Sequence, residues 1–447
     1  FFPSVSGGWR VSEEAFWKVN PDLFSNLKIR ASYGSLGNGN VSPYSFLELL
    51  NINTSGRVLN GLKNKYTSAP AVMPDGLTWE TATTTDVGLD FGMLNNRLQF
   101  NGDYYIRKTT DMYTVGKTLP DVFGASSPKG NYADMTTKGW EITLTWRDQF
   151  TLAEKPFNYE IRGTLSDYIS TIDRYNNQTG NLDDYYAGKR VGEIWGYVTE
   201  GLFKDQADID NHADQTLIQS SSKRITYPGD VKIKDLNGDH VIDYGNNTVD
   251  DHGDKTVIGN ALPRYAYSIN LSGDWNNFFL SAFFQGVGKQ DWYPSSECIF
   301  WGQYNRPYNN MPTWHQGNYW TEDNTDAYLP RYAGYNASLK STPQTRYLQN
   351  VAYIRLKNLQ FGYTLPQPIV SKAKLQNVRV YISAENLWCW SPLYKHTHDL
   401  DVTNIYGSDP DLTSADMSSG LNGNRGSGDG NSYPQMKSVS LGLSVTF

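Results

Sequence analysis

The feature that most constrains this chain is a two-residue alternation, cleanest in the last stretch, Tyr433 to Phe447 (YPQMKSVSLGLSVTF). Val439, Leu441, Leu443, Val445 and Phe447 share one parity, while Ser438, Ser440, Gly442, Ser444 and Thr446 hold the other. Successive strand side chains point to opposite faces, so this segment has one apolar wall and one wall of small polar groups. A soluble sandwich would press the apolar wall onto a second sheet. An outer-membrane barrel would turn it to lipid and line its lumen with the other wall. The terminal aromatic Phe447 favours the barrel.

The same parity recurs along the chain. Leu27, Ile29, Ala31 and Tyr33 oppose Lys28, Arg30 and Ser32, and Val87, Leu89, Phe91 and Met93 oppose Asp86, Gly88, Asp90 and Gly92. Trp140, Ile142, Leu144 and Trp146 oppose Glu141, Thr143 and Thr145. Charges on the second wall would be costly in a dry core but not in a watery lumen. One strand breaks step, since Ile354 and Leu356 give way to Leu359, Phe361 and Tyr363. A bulge near Lys357–Asn358 would restore the facing.

Connections alternate between short and long. Short ones fall at Met93–Arg97, near Asp148–Pro156, at Asp274–Asn277 and at Pro366–Asn377. Long ones fall near 35–80, 114–130, 176–262, 289–350 and 389–432. Outer-membrane barrels are built with short turns at one rim and long loops at the other, whereas such loops are uncommon in compact soluble domains. About eleven strands are expected, with both chain ends heading to the short-turn side. The fold class predicted is an all-β transmembrane antiparallel β-barrel, half of a barrel of about 22 strands.

Composition is consistent with this. No apolar run is long enough to cross a membrane as a helix, and a hydrophobic content of only 38% suffices when every second residue is apolar. The aromatic share of 14%, with 31 Tyr and 13 Trp, suits interfacial girdles or stacking surfaces. A net charge of −7 argues against a nucleic-acid partner. Cys298 and Cys389 are too few for a disulfide framework, and a single bridge between them is left open. The chain opens at Phe1 with no signal peptide and reads as a piece of something longer.

Several segments then match a family. FFPSVSGGWRVSEEAF at the start, LKIRASYGSLGN (27–38) and LTWETATTTDVGLDFGMLNNRLQFNGDYYIRKTTDMY (77–113) resemble the SusC/RagA family of TonB-linked outer-membrane transporters of the Bacteroidetes. So do YPGDVKIKDLNGDHVID (227–243), IGNALPRYAYSINLSGDW (258–275) and VAYIRLKNLQFGYTLPQ (351–367). The resemblance is collinear over essentially the whole chain. It implies that residues 1–447 are the C-terminal part of the barrel, with an N-terminal plug and the first strands absent from this chain. It also implies active import of an oligosaccharide or peptide, with a SusD-like surface lipoprotein as lid. TonB would act through the missing N-terminal part, and a dimer of SusC–SusD pairs is a further assembly to look for.

Candidate sites are few. Asp235, Asn237, Asp239 and Asp243 occupy the first, third, fifth and ninth positions of an EF-hand-like loop, where Val241 would offer its carbonyl at the seventh. Hard oxygens at alternate positions are what calcium needs, so a Ca2+ ion in the 235–254 loop is the one cofactor expectation. His240 stands where the loop normally has Gly, and Asn246 where it has Glu. The alternative is an Asx-rich surface turn. In the 289–350 loop, Trp301, Tyr304, Trp314 and Trp320 are candidate substrate-stacking residues, against the alternative that they pack on one another. Asp86 and Asp90 on the wet wall are candidate guides for a polar substrate, and Phe447 is a candidate barrel-assembly signal. His396 and His398 are read as loop histidines and not as a metal site.

No catalytic set emerges, and GNGN and GSGDG lack the strand–loop–helix setting of a phosphate cradle. The leading expectation is therefore an importer and not an enzyme. A surface receptor or adhesin without energised transport is the alternative, and a soluble β-rich hydrolase comes third.

Overall fold

The computed structural model describes residues 1–39, 47, 50, 52–68, 76–116, 127–219, 225–294, 298–304, 308–333, 339–340, 342–403 and 435–447. The strands begin with β1 (Ser4–Arg10), β2 (Phe24–Asn38), β3 (Ile52–Leu59), β4 (Leu62–Thr67), β5 (Glu80–Met93) and β6 (Leu98–Val115). β7 (Lys129–Leu152), β8 (Lys155–Arg174), β9 (Glu193–Tyr197), β10 (Thr199–Leu202), β11 (Val231–Ile233) and β12 (Lys255–Asn260) follow. The remainder are β13 (Arg264–Trp275), β14 (Phe278–Lys289), β15 (Asp291–Trp292), β16 (Gln349–Asn350), β17 (Tyr353–Thr364), β18 (Asn377–Trp390) and β19 (Ser438–Thr446).

Eleven of them form one antiparallel sheet in the order β1-β2-β5-β6-β7-β8-β13-β14-β17-β18-β19. The order follows the chain, with the other strands spent in the long connections, so the sheet is an up-and-down meander as the sequence predicts. A tilted strand crosses a bilayer in about 9–11 residues. β7 has 24 residues and β8 has 20, so both stand well clear of the bilayer at one end.

Local chemistry explains the short turns. Leu152 pairs with Lys155 and Trp275 with Phe278, leaving two-residue loops. Both central residues have positive φ in each, 46° and 64° at Ala153 and Glu154, 47° and 70° at Asn276 and Asn277. That is the primed turn whose twist matches the flanking strands. The bulge expected near Lys357 is present. Phe283 pairs with Asn358 and Phe284 with Leu356, so Lys357 has no counterpart on β14 and the facing is restored beyond it.

The two faces differ as the parity requires. Leu441 is 78% exposed, Val87 53% and Phe361 48%, all on the apolar wall. Beside the short turns this wall carries stacked aromatic pairs, Phe91–Phe100, Phe150–Phe157 and Phe278–Phe361, which form a belt at one rim. On the other wall small hydroxyls pair across strands, Thr137 with Ser170 at 2.8 Å and Thr164 with Ser268 at 2.6 Å.

The buried hydrophobic core lies in the long connections and not behind the sheet. Tyr197, Val231, Ile233, Ile242, Trp292, Phe300, Trp301, Leu329, Tyr347, Leu393 and Leu400 make one cluster. The pairs β9–β12, β10–β11 and β15–β16 frame it. The loops thus fold into a layer with its own core at the long-loop rim. Cys298 is buried in this core and Cys389 lies half-buried on β18, with no disulfide between them.

Candidate functional site

The wet wall carries an ordered charge group on β2, β5 and β6. Lys28 faces Asp90 and Arg30 faces Gly88 across the β2–β5 pair, and Gly88 faces Asp103 on β6. Gly88 has no side chain, so Arg30 can lie across it. Its Nε donates to Asp90 Oδ2 at 2.8 Å and its Nη2 to Asp103 Oδ2 at 3.0 Å, while Asn101 donates to Asp90 Oδ1 at 3.0 Å. A Cβ at position 88 would press on the Asp103 carboxylate and come within 2.7 Å of the Arg30 guanidinium. Asp90 is thus committed to a structural pair. Asp86, with Ser32 and Tyr105 as its cross-strand neighbours, is half-buried on the same wall. Sequence parity places these residues but does not reveal the fork on Arg30, which depends on three strands meeting at Gly88.

In the loop layer, Trp301 and Tyr304 are fully buried. Trp301 Nε1 donates to the Pro294 carbonyl at 3.2 Å and its ring meets Tyr347 edge-on at 5.2 Å, while Tyr304 Oη donates to Pro330 O at 2.7 Å. These two hold the loop together and turn their faces to protein. Trp314 and Trp320 are half-buried, and the indole N–H of each is buried without a hydrogen-bond partner in the described residues. Of the four candidate aromatics these two are the ones left partly exposed. Trp314 packs on Phe300 at 5.0 Å and on His315 at 4.3 Å.

His315 was not singled out by its sequence surroundings. It is fully buried, its Nε2 donates to the Phe300 carbonyl at 2.9 Å, and its Nδ1 has no partner among the described residues. Burial penalises the imidazolium and pushes its pKa down to about 4. His396 and His398 stack instead on Tyr328 and Tyr394, each at 4.6 Å. Burial, with Lys395 adding to it, lowers the pKa of His396 too.

The acidic loop is knitted by its own backbone. Asp235 accepts from Gly238 N at 2.6 Å and His240 N at 2.9 Å, Asn237 from Asp239 N at 3.0 Å, and Asp239 from Val241 N at 2.8 Å. Asp243 accepts from Gly245 N at 2.8 Å. Fully buried Asp254 accepts from Leu236 N at 2.7 Å and Asp243 N at 2.9 Å, closing the loop from behind. His240 takes the sharp-turn position with φ 67°, as Gly would. Among the described residues no three His, Cys, Asp or Glu side chains converge as metal ligands. In this arrangement the carboxylates serve the turn, and each oxygen of Asp235 accepts one backbone N–H while keeping a second lone pair.

The comparisons agree with this architecture. No family model matches the chain. It is 28% identical over 470 residues to TonB-dependent receptor P26 of Formosa agariphila, a match covering 100% of this chain and 42% of that protein. It is 23% identical over 461 residues to TonB-dependent receptor SusC of Bacteroides thetaiotaomicron, covering 100% of this chain and 40% of that one. Among solved structures, the RagAB peptide importer in its open-open state superposes with a TM-score of 0.66 at 19% identity, over 100% of this chain and 42% of that one. The chain therefore spans about two fifths of the length of the curated relatives it matches. Those relatives are receptors and transporters, not enzymes. With its lipid-parity sheet and long-loop rim, the chain is an outer-membrane β-barrel protein that fits the SusC/RagA type, over that type's C-terminal portion.

Proposed function

We propose that residues 1–447 form the C-terminal part of the barrel of a TonB-dependent nutrient importer, whose plug and first barrel strands lie upstream of this chain. The observation that carries this is similarity to TonB-dependent receptors over the whole of this chain, which places eleven strands in one up-and-down sheet. Within the described residues β1 and β19 each pair on one side only, as strands do when the rest of a barrel completes them.

The loop layer supports a second element, a SusD-like lipoprotein acting as a lid on the long-loop rim. A core of buried aromatics makes those loops a shaped platform able to dock a protein. Cargo would be captured between lid and lumen and drawn in when TonB displaces the plug. Peptide and oligosaccharide both fit the polar wall, and the likeness to the RagAB peptide importer gives peptide the first trial.

Native mass spectrometry of the detergent-extracted complex tests the assembly. A polypeptide well above 50.4 kDa travelling with a lipoprotein is expected, and a lone 50.4 kDa species overturns it. Uptake by whole cells lacking TonB tests the energy coupling, because import persisting at the normal rate would exclude it.

A further inference from the structure

We propose that a cavity at the long-loop end of the lumen wall binds the free carboxylate of an acidic organic cargo. This inference deepens the importer reading above and rests on it. The cavity, of about 480 Å³, lies where the ends of β8, β13 and β14 meet the β9–β12 pair. Arg264 and Lys289 line it as direct cross-strand partners. Ser170, whose hydroxyl pairs with Thr137 on the wet wall, also lines it, so the cavity opens on the lumen side.

Its charges are unequally committed. Glu193 accepts from Tyr186 Oη at 3.1 Å and from Arg190 N at 3.2 Å, and Asp291 accepts from Asn260 N at 2.9 Å. Arg264 is held by both oxygens of Asp167, at 2.5 Å each. Two cationic heads remain. The Arg190 guanidinium has no hydrogen-bond or ion-pair partner among the described residues, and the Lys289 ammonium stands 4.0 Å from Asp291 with its side chain 61% exposed. An entering anion meets donors that need give up no strong partner, whereas an entering cation meets carboxylates already engaged. Val191, Val257 and Leu262 add apolar lining. A carboxylate carried on an organic chain uses both halves of such a site, and a bare inorganic anion uses only one. A peptide C-terminus and a uronate sugar present this same group.

The test uses the full-length transporter purified in detergent and isothermal titration with two probe pairs. One pair is trialanine and its C-terminal amide; the other is trigalacturonate and its methyl ester. In at least one pair the free acid is expected to bind about tenfold more tightly than its neutral counterpart, the scale of a hydrogen bond to a charged group. The double variant Arg190→Gln, Lys289→Gln is expected to erase that preference and leave neutral-probe binding within about twofold. Preference in the peptide pair identifies a peptide carboxylate, and preference in the sugar pair a uronate. Absence of any preference in the unaltered protein overturns the inference, as does failure to bind either pair. A preference that survives in the variant, or a variant that weakens both members of a pair equally, also overturns it. Binding in detergent needs no TonB, so an acid preference seen without energised uptake would leave this site standing while the import reading fell.

Discussion

Arg355, near the start of β17, and Asp401, in the connection to the last strand, form a buried ion pair with Nη2 and Oδ1 2.5 Å apart. Gln435 completes it from the far side of that connection, accepting from Arg355 Nη1 at 2.9 Å and donating its backbone N–H to Asp401 at 3.0 Å. Thr403 donates to Asp401 through both its N–H and its hydroxyl. One barrel strand thus anchors both ends of the longest stretch between β18 and β19.

Removing one partner would strand a buried charge. Asp401→Asn is expected to loosen the 391–403 segment by about 3–5 kcal/mol, the usual cost of breaking a buried pair. Hydrogen exchange in the full-length protein should show protection lost there and retained in β17 and β18. Unchanged protection across 391–403 would mean the pair does not hold the loop.

The His315 site makes the loop layer acid-sensitive. Its folded pKa of about 4 lies below the 6.5 of an exposed imidazole, so between these values the unfolded layer binds more protons than the folded one. Stability from this group is fully present above pH 6.5, falls as pH drops towards about 4, and is flat below that. The loss is up to about 3 kcal/mol, at 1.36 kcal/mol per pKa unit. Tryptophan-monitored unfolding between pH 7 and pH 4 should show this slope, and His315→Gln should flatten it.

The two walls of the sheet should respond oppositely to charge. Leu271→Arg places a cation on the lipid side of β13 and is expected to cost about 2–4 kcal/mol in refolding into vesicles. Asn270→Arg, one residue away on the lumen side, should be nearly neutral. Equal penalties would contradict the assigned facing. Phe447→Ala, at the end of the apolar wall, is expected to lower the amount of assembled barrel in the outer membrane, while Thr446→Ala leaves it unchanged.

Asp254 separates the two readings of the acidic loop. Asp254→Ala leaves the N–H groups of Leu236 and Asp243 without acceptors, at about 1–3 kcal/mol each. Proteolysis within 235–254 should then accelerate in the full-length protein, with or without EDTA. Acceleration of the unaltered protein by EDTA alone would show instead that a cation organises the turn.

Gly88 is a packing requirement of the Arg30 fork. Gly88→Ala is expected to push Arg30 off Asp103 and to lower barrel stability by about 1–3 kcal/mol, the range for overpacking. The resistance of the folded barrel to denaturant reads this directly, and a variant matching the parent would show that the fork can shift at no cost.

What the sequence determined by itself was everything that repeats at short range. The period-two parity settled which residues face lipid, the turn chemistry at Asn276–Asn277 settled the reversals, and the broken step at Lys357 predicted the bulge. These follow from backbone geometry and near neighbours, so one strand carries the information. The loop layer had no such period. That Trp301 and Tyr304 are buried while Trp314 and Trp320 keep open surface, that His315 sits in the core, and that Arg355 meets Asp401 were decided only by segments distant in sequence closing on one another. Burial and ion pairing depend on which surfaces meet in space, and residue type alone leaves that choice open.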